Sequence, residues 1–423
     1  MTPEAGSPGT APATFLAFVE PVPGRLYPLV ATLQELQRRG HRVIVRTGQD
    51  EVDLLRSIGI EAEVLAPELA AFNPTDWQAR TRFGALLRAL DEFGDRARPQ
   101  VADLGAAIDA HQPDVVILDE TSWGAAAAAE HSGRPWAFSV PSPVPIGSPG
   151  VPPFGLGLRP RVDTVGRIRD RVVRPLTVGT LARVIARHVN PLRVELGLRP
   201  LHRLDEFYLA ADLLLNYTAE PFDYPRTDWP AKVRLVGPGL WEPPSTAPPW
   251  LDEVSRPLVL VTCSTGFQND VRLAETACAA FADEPFDVVL TTGEVDVSAA
   301  VVPRNVRVER FVPHSAVLDR AVCVVCHAGM GITQKALAHG VPVVAVPFGR
   351  DQPEVARRVE VAGAGVRLPA RKLNAGRLRT AVHDAIALRP GAERVATAFR
   401  AAGGAPAAAD ALEGLAVARA AGR

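Results

Sequence analysis

Residues 322–358, VCVVCHAGMGITQKALAHGVPVVAVPFGRDQPEVARR, decide the fold. They spell a buried strand, a glycine-rich turn, a helix, a second buried strand, a polar loop and another helix. The run from Cys323 to Cys326 is too short and too β-branched for a helix of its own, and 341–346 repeats the pattern. Between the two, His327-Ala328-Gly329-Met330-Gly331-Ile332-Thr333 opens an apolar helix predicted over 333–339. Glycines let backbone N–H groups approach an anion, and a helix N-terminus carries partial positive charge. His327, at the strand's carboxyl end, adds a donor for a phosphate oxygen. Asp351-Gln352, at the next carboxyl end, offers acceptors and amide donors for several hydroxyls. Together these residues fit a phosphate and a polyol side by side.

HAGMG, a Gly-Val-Pro strand and DQPEVA, in that order, resemble the donor motif of nucleotide-sugar-dependent GT-B glycosyltransferases, nearest to the bacterial macrolide and antibiotic members of family 1. The likeness runs from Phe15 to about Gly404. It implies an α/β GT-B fold, in which two Rossmann-like, doubly wound parallel-sheet domains face each other across a cleft. It implies donor contacts from His327, Gly329, Gly331, Thr333, Asp351 and Gln352. Ser264 and Thr265, after the strand predicted over 258–263, match the diphosphate segment, although the same atoms would serve to cap the next helix. Phe311 and Val312 match the segment that carries the nucleobase, with UDP and dTDP both open. The resemblance further implies inversion at the anomeric carbon, no metal, no cofactor (the nucleotide-sugar is a substrate) and an apolar small-molecule acceptor such as a natural-product aglycone.

Elsewhere the chain is of ordinary globular composition, 47% hydrophobic and 22% charged over 423 residues, long enough for two or three domains. A formal net charge of -1 gives no electrostatic reason to expect nucleic acid or an anionic membrane. No apolar run reaches the roughly 18 residues of a membrane span. Residues 1–13 lack the basic start and apolar core of a signal peptide and read as a disordered leader. Four cysteines fit a reducing cytoplasm. Cys323 and Cys326 form a C-x-x-C, but residues three apart on a strand point to opposite faces, and no second pair completes a tetrahedral site. They read as buried small hydrophobes rather than a redox or metal pair.

Domain order follows from the alternation of strands and helices. A first Rossmann-like unit, 14–237, binds the acceptor; 238–250 (PGLWEPPSTAPPW) is a proline-stiffened linker; 251–404 is the nucleotide-sugar unit; 405–423 carries an alanine-rich helix that could return to the first. In the first unit, strands are predicted at 15–20, 41–47, 60–65, 115–118, 136–140 and 213–216, the last closing the sheet with 233–236 crossing over. A helix is expected over 29–39 after the loop PVPGRLYP, and 75–110 is largely helical with an interruption at Pro99. The stretch 141–157, PSPVPIGSPGVPPFGLG, cannot be regular structure; it is either an acceptor-pocket wall or a surface loop. No G-x-G-x-x-G follows the first strand, so a nicotinamide site loses its main support.

The acceptor side departs from the family pattern. The resembling enzymes carry a base His in the first loop, where this chain has Gly24-Arg25-Leu26-Tyr27-Pro28. A guanidinium stays protonated and cannot accept a proton. Asp119 matches the second member of the His/Asp dyad, so Arg25 and Asp119 are expected to pair. The base is then Asp119, with Arg25 orienting it or holding an anionic acceptor, or else Glu20; Glu120 is a further carboxylate near the cleft. Losing the His also leaves open a donor-binding auxiliary protein, and two Rossmann-like domains leave open a nucleotide-sugar 2-epimerase. The oligomeric state is not legible.

Overall fold

The computed structural model describes residues 11–71, 75, 78–79, 82–264, 271–293, 295 and 301–421. Thirteen strands lie in two wholly parallel sheets among these residues. The first sheet comprises β1 (Thr14–Phe18), β2 (Arg42–Thr47), β3 (Glu61–Val64), β4 (Val115–Asp119), β5 (Trp136–Val140), β6 (Leu213–Asn216) and β7 (Val233–Leu235), in the order β3-β2-β1-β4-β5-β6-β7. The second comprises β8 (Leu258–Thr262), β9 (Asp287–Thr291), β10 (Val306–Glu309), β11 (Ala321–Cys326), β12 (Val343–Ala345) and β13 (Gly365–Arg367), in the order β10-β9-β8-β11-β12-β13. Both orders reverse once, between β1 and β4 and between β8 and β11. Such a reversal opens a crevice at the strands' carboxyl ends, where doubly wound sheets hold their ligands.

Parallel sheets must be covered on both faces, and period-two alternation divides the core accordingly. Phe15, Ala17 and Val19 pack with Leu29 and Leu33 of the helix Pro23–Arg38, while Leu16 and Phe18 face the opposite layer with Leu104 and Trp123. In the second sheet Cys323 shares a cluster with Phe281 and Val382, and Cys326 one with Leu337 and Phe399. The two thiols therefore point to opposite faces, and burial pushes both up, Cys326 to about 11. The C-terminal helix Gly404–Ala421 lies on the first unit: Ala408, Ala409 and Leu412 join the cluster of Leu33, and Glu413 takes Arg39 and His41 at 2.8 Å.

Three expectations are corrected. The helix expected from residue 29 begins at Pro23, so PVPGRLYP is largely its first turns; a proline at the first helical position lacks only an N–H that would have had no partner. The helical break expected at Pro99 falls at Arg96, between the helices Arg82–Asp95 and Ala97–His111, leaving Pro99 in a first turn where it is tolerated. Residues 233–235 do not cross over; they add a seventh strand, with Leu214↔Val233 and Asn216↔Leu235 in parallel register. The connection between the units is anchored on both: Trp241 meets the ring of Tyr27 edge-on at 5.1 Å, and Glu242 takes Lys335 at 2.7 Å.

Candidate active site

The glycine-rich turn is built as a strand end running into a helix. After β11, Ala328 takes a left-handed φ of 67°, and Gly329 caps the helix Met330–Ala338, three residues earlier than the sequence suggested. A side chain at Gly329 would put its Cβ 2.3 Å from Nε2 of His327, so the glycine leaves room for the imidazole over the helix N-terminus. Burial, aided by the Arg350 cation, lowers His327 to about 4, and its Nδ1 is buried with no partner among the described residues. At neutral pH it is therefore a neutral ring set beside a partly positive helix end. Thr333 is fully buried with its hydroxyl 3.7 Å from the Cys326 sulfur; it seats the helix on the strand rather than opening to the cleft.

Across β12, Asp351 and Gln352 have different tasks. Asp351 begins the helix Gln352–Val361 without capping it through its side chain. Gln352 is buried, and its Oε1 accepts from the N–H groups of Phe348 and Gly349 at 2.7 and 3.0 Å, so this oxygen holds the loop in place. Ser264 is buried at the end of β8, across the topological reversal from His327. Thr265 lies outside the described residues. Val312 is buried, whereas Phe311 is 60% exposed and offers an open apolar surface.

The opposite wall of the cleft corrects the expected dyad. Arg25, in the first turn of its helix, donates to Glu120 and not to Asp119. A cation is disfavoured at a helix N-terminus, and the carboxylate offsets that. Glu120 also accepts from Ser142 Oγ, at 2.7 and 2.9 Å to its two oxygens. Asp119 is wholly buried and spent on local structure: it accepts from the N–H and hydroxyl of Thr121, from Ser122 Oγ at 2.6 Å and from the Glu20 N–H at 2.8 Å. Four donors use about all the lone pairs a carboxylate has. Glu20 is equally buried, held by Arg96 at 2.7 Å and Gln100 at 2.5 Å, and burial raises it to about 7.

Glu120 shares an electrostatic environment with the donor side. Burial is the main cause that raises Glu120, with Asp351 of the other unit adding to it; burial disfavours the Arg25 cation, and Glu120, Asp119 and Asp351 together more than offset that. Sequence alone weighed Glu120 and set Asp119 above it; the available signal was Arg25 itself, which needs an anionic partner.

The irregular segment 141–157 joins the two units. Glu354 accepts from the N–H groups of Gly155 and Gly157 at 2.9 and 2.7 Å, and Arg357 donates to the Gly157 carbonyl at 2.9 Å. Arg358 binds Asp223 at 2.8 Å, and Gln334 donates to the Tyr217 carbonyl at 2.7 Å. Phe154 and Leu156 line a cavity of about 330 Å³ that also touches Gly349 and Arg350, next to Asp351.

Residues 278–412 match the model of the erythromycin biosynthesis protein CIII-like C-terminal domain. The 4'-demethylrebeccamycin synthase of Lentzea aerocolonigenes is 35% identical over 88% of this chain and 91% of its own length. The demethyllactenocin mycarosyltransferase of Streptomyces fradiae is 27% identical over 98% and 88%. Among solved structures, the calicheamicin glycosyltransferase superposes with a TM-score of 0.73 at 23% identity, over 96% of this chain and 98% of that one, which speaks for the fold. The glycosyltransferase VinC, solved in complex with dTDP, gives 0.68 at 25% identity over 96% and 100%. Neither the epimerase nor the donor-binding reading finds support among these proteins. No helix among the described residues is long and apolar enough to cross a membrane. The chain belongs to the antibiotic-biosynthesis glycosyltransferases, and it is an enzyme of that family with the GT-B fold.

Proposed function

We propose that the enzyme moves a sugar from a dTDP- or UDP-linked donor to an apolar small-molecule acceptor, with inversion at the anomeric carbon, and that Glu120 is the general base. The observation that carries this is the Arg25–Glu120 pair of one unit, which the charge of Asp351 in the other unit reaches. Asp351 orients the sugar hydroxyls, and the helix N-terminus with His327 receives the diphosphate. The acceptor's proton passes to Glu120 as its oxygen or nitrogen bonds to the anomeric carbon. The bond from that carbon to the phosphate oxygen breaks, and its electron pair leaves with the nucleoside diphosphate. A carboxylate raised by burial is a better base than an exposed one, and Arg25 and Ser142 keep it aimed. The neutral imidazole and the fixed helix dipole stabilise the leaving charge without reorganising.

Support for dTDP comes from VinC, solved with that nucleotide, and support for an apolar acceptor from the cavity beside Asp351. The test is incubation with dTDP- and UDP-sugars, following release of nucleoside diphosphate and the anomeric configuration of any product formed with aromatic acceptors. Failure to bind either nucleotide, or retention of configuration, would overturn the reading.

A further inference from the structure

The cavity beside Asp351 has two kinds of wall. Leu87, Leu90, Phe154, Leu156 and Leu181 make one side apolar, while Arg350, Arg367 and Arg371 stand on the other. About 330 Å³ is at the lower end of small-ligand pockets, room for a compact polycyclic body. A half-buried guanidinium such as that of Arg367 is an unusual neighbour for such a body, since it costs desolvation unless an anion is supplied. The two carboxylates whose charge reaches Arg367, Glu360 and Glu354, are already committed. Glu354 holds Gly155, Gly157 and Arg358, and Glu360 holds Arg357. Arg367 is half-buried, its Nε is buried with no partner among the described residues, and Arg357 and Arg371 add like charge around it. Arg350 stands apart from this pair, because its charge also reaches His327 on the donor side.

The geometry points to an acceptor that is an acid: an apolar ring system lying on Phe154, Leu156 and Leu181, with a carboxylate that pairs with Arg367 and Arg371. This rests on the glycosyltransferase reading above and narrows its acceptor class from apolar to apolar and anionic. A guanidinium fork binds a carboxylate through two parallel N–H donors, which fixes the ring system's direction as well as its charge. The group to be glycosylated is then presented away from Arg367 and Arg371, on the side of the cavity lined by Gly349 and Arg350, next to Asp351.

A matched pair of fluorescent probes tests this on the full-length protein: 9-anthracenecarboxylate and its primary amide, alike in shape and differing in charge. The carboxylate should bind at least about tenfold tighter than the amide, the effect of one charge-assisted hydrogen bond. That preference should disappear in Arg367→Gln/Arg371→Gln while affinity for dTDP stays unchanged. The single variant Arg371→Gln, at an exposed position, keeps the test open if the double variant folds poorly, and it should lose part of the preference. Equal affinity for the two probes, no binding of either at millimolar concentration, or a preference that survives substitution overturns the inference. So does a parallel loss of dTDP affinity, which would assign the arginines to the donor. Intact dTDP binding and donor hydrolysis alongside any of the first three outcomes would leave the glycosyltransferase reading standing.

Discussion

Arg25 pairs with Glu120 across the carboxyl end of β4, while the neighbouring Asp119 turns inward and is consumed by Thr121, Ser122 and the Glu20 backbone. The arginine found where the resemblance led us to expect a histidine thus pairs with a carboxylate other than Asp119. Substitutions should separate the two acids. Glu120→Gln should cut turnover by at least about 100-fold, the usual scale for losing general-base help, with dTDP affinity unchanged. Asp119→Asn should cost about 2–4 kcal/mol of stability, because an amide nitrogen would face donors it cannot accept from. Steady-state kinetics and chemical denaturation measure both, and full turnover in Glu120→Gln rejects the assignment.

His327 is neutral in the free enzyme, near 4, and an arriving diphosphate should raise it. A group whose proton affinity rises on binding makes the complex tighter as pH falls. Affinity for dTDP should therefore increase between pH 7 and 5, with net proton uptake visible by calorimetry in buffers of different ionisation heat. His327→Ala should weaken binding by about 1–3 kcal/mol and abolish the uptake. Gly329→Ala should do comparable damage, since its Cβ would lie 2.3 Å from the imidazole nitrogen. Unchanged dTDP affinity in His327→Ala would remove the residue from the donor site.

Asp351→Ala and Gln352→Ala should fail differently. The Asp351 side chain makes no capping bond to its helix, so its loss should weaken binding of the nucleotide-sugar and spare free dTDP. Gln352 holds Phe348 and Gly349, so its loss should lower the melting temperature as well and weaken both ligands. Identical profiles for the two variants would contradict this division of labour.

Glu20 supplies a pH signature of stability. Burial raises its folded value to about 7 from an ordinary 4.5. Below 4.5 both folded and unfolded chains are protonated there, and the stabilising contribution is full. Between 4.5 and 7 the unfolded chain ionises first, so stability falls as pH rises, by something on the order of 3 kcal/mol in all, and stays flat above 7. Glu20→Gln should remove that decline, so that the variant gains on the wild type between pH 5 and pH 8 in denaturant titrations. Parallel curves would show that Arg96 and Gln100 keep Glu20 ionised throughout.

The sequence by itself determined the two doubly wound units, the order of most strands and the position of the donor turn, because these follow from local rules. Period-two apolar runs make strands, glycines after a strand open a helix end, and parallel strands require crossovers. It also marked Arg25 as the point where the family pattern breaks. What only the tertiary structure decided is which acid answers that arginine. Asp119 and Glu120 are adjacent at the end of a strand, where alternation stops and side-chain direction is set by neighbours far along the chain: the Glu20 backbone for one, Arg25 and Ser142 for the other. The helical turn that carries Arg25 and the seat of Thr333 against Cys326 were missed as well, although both are local, the first with a proline at the helix start as its signal. The cavity joins Leu87 and Leu181 to Arg367 and Arg371, residues from the two units, so the proximity of their side chains exists only once the sheets face each other.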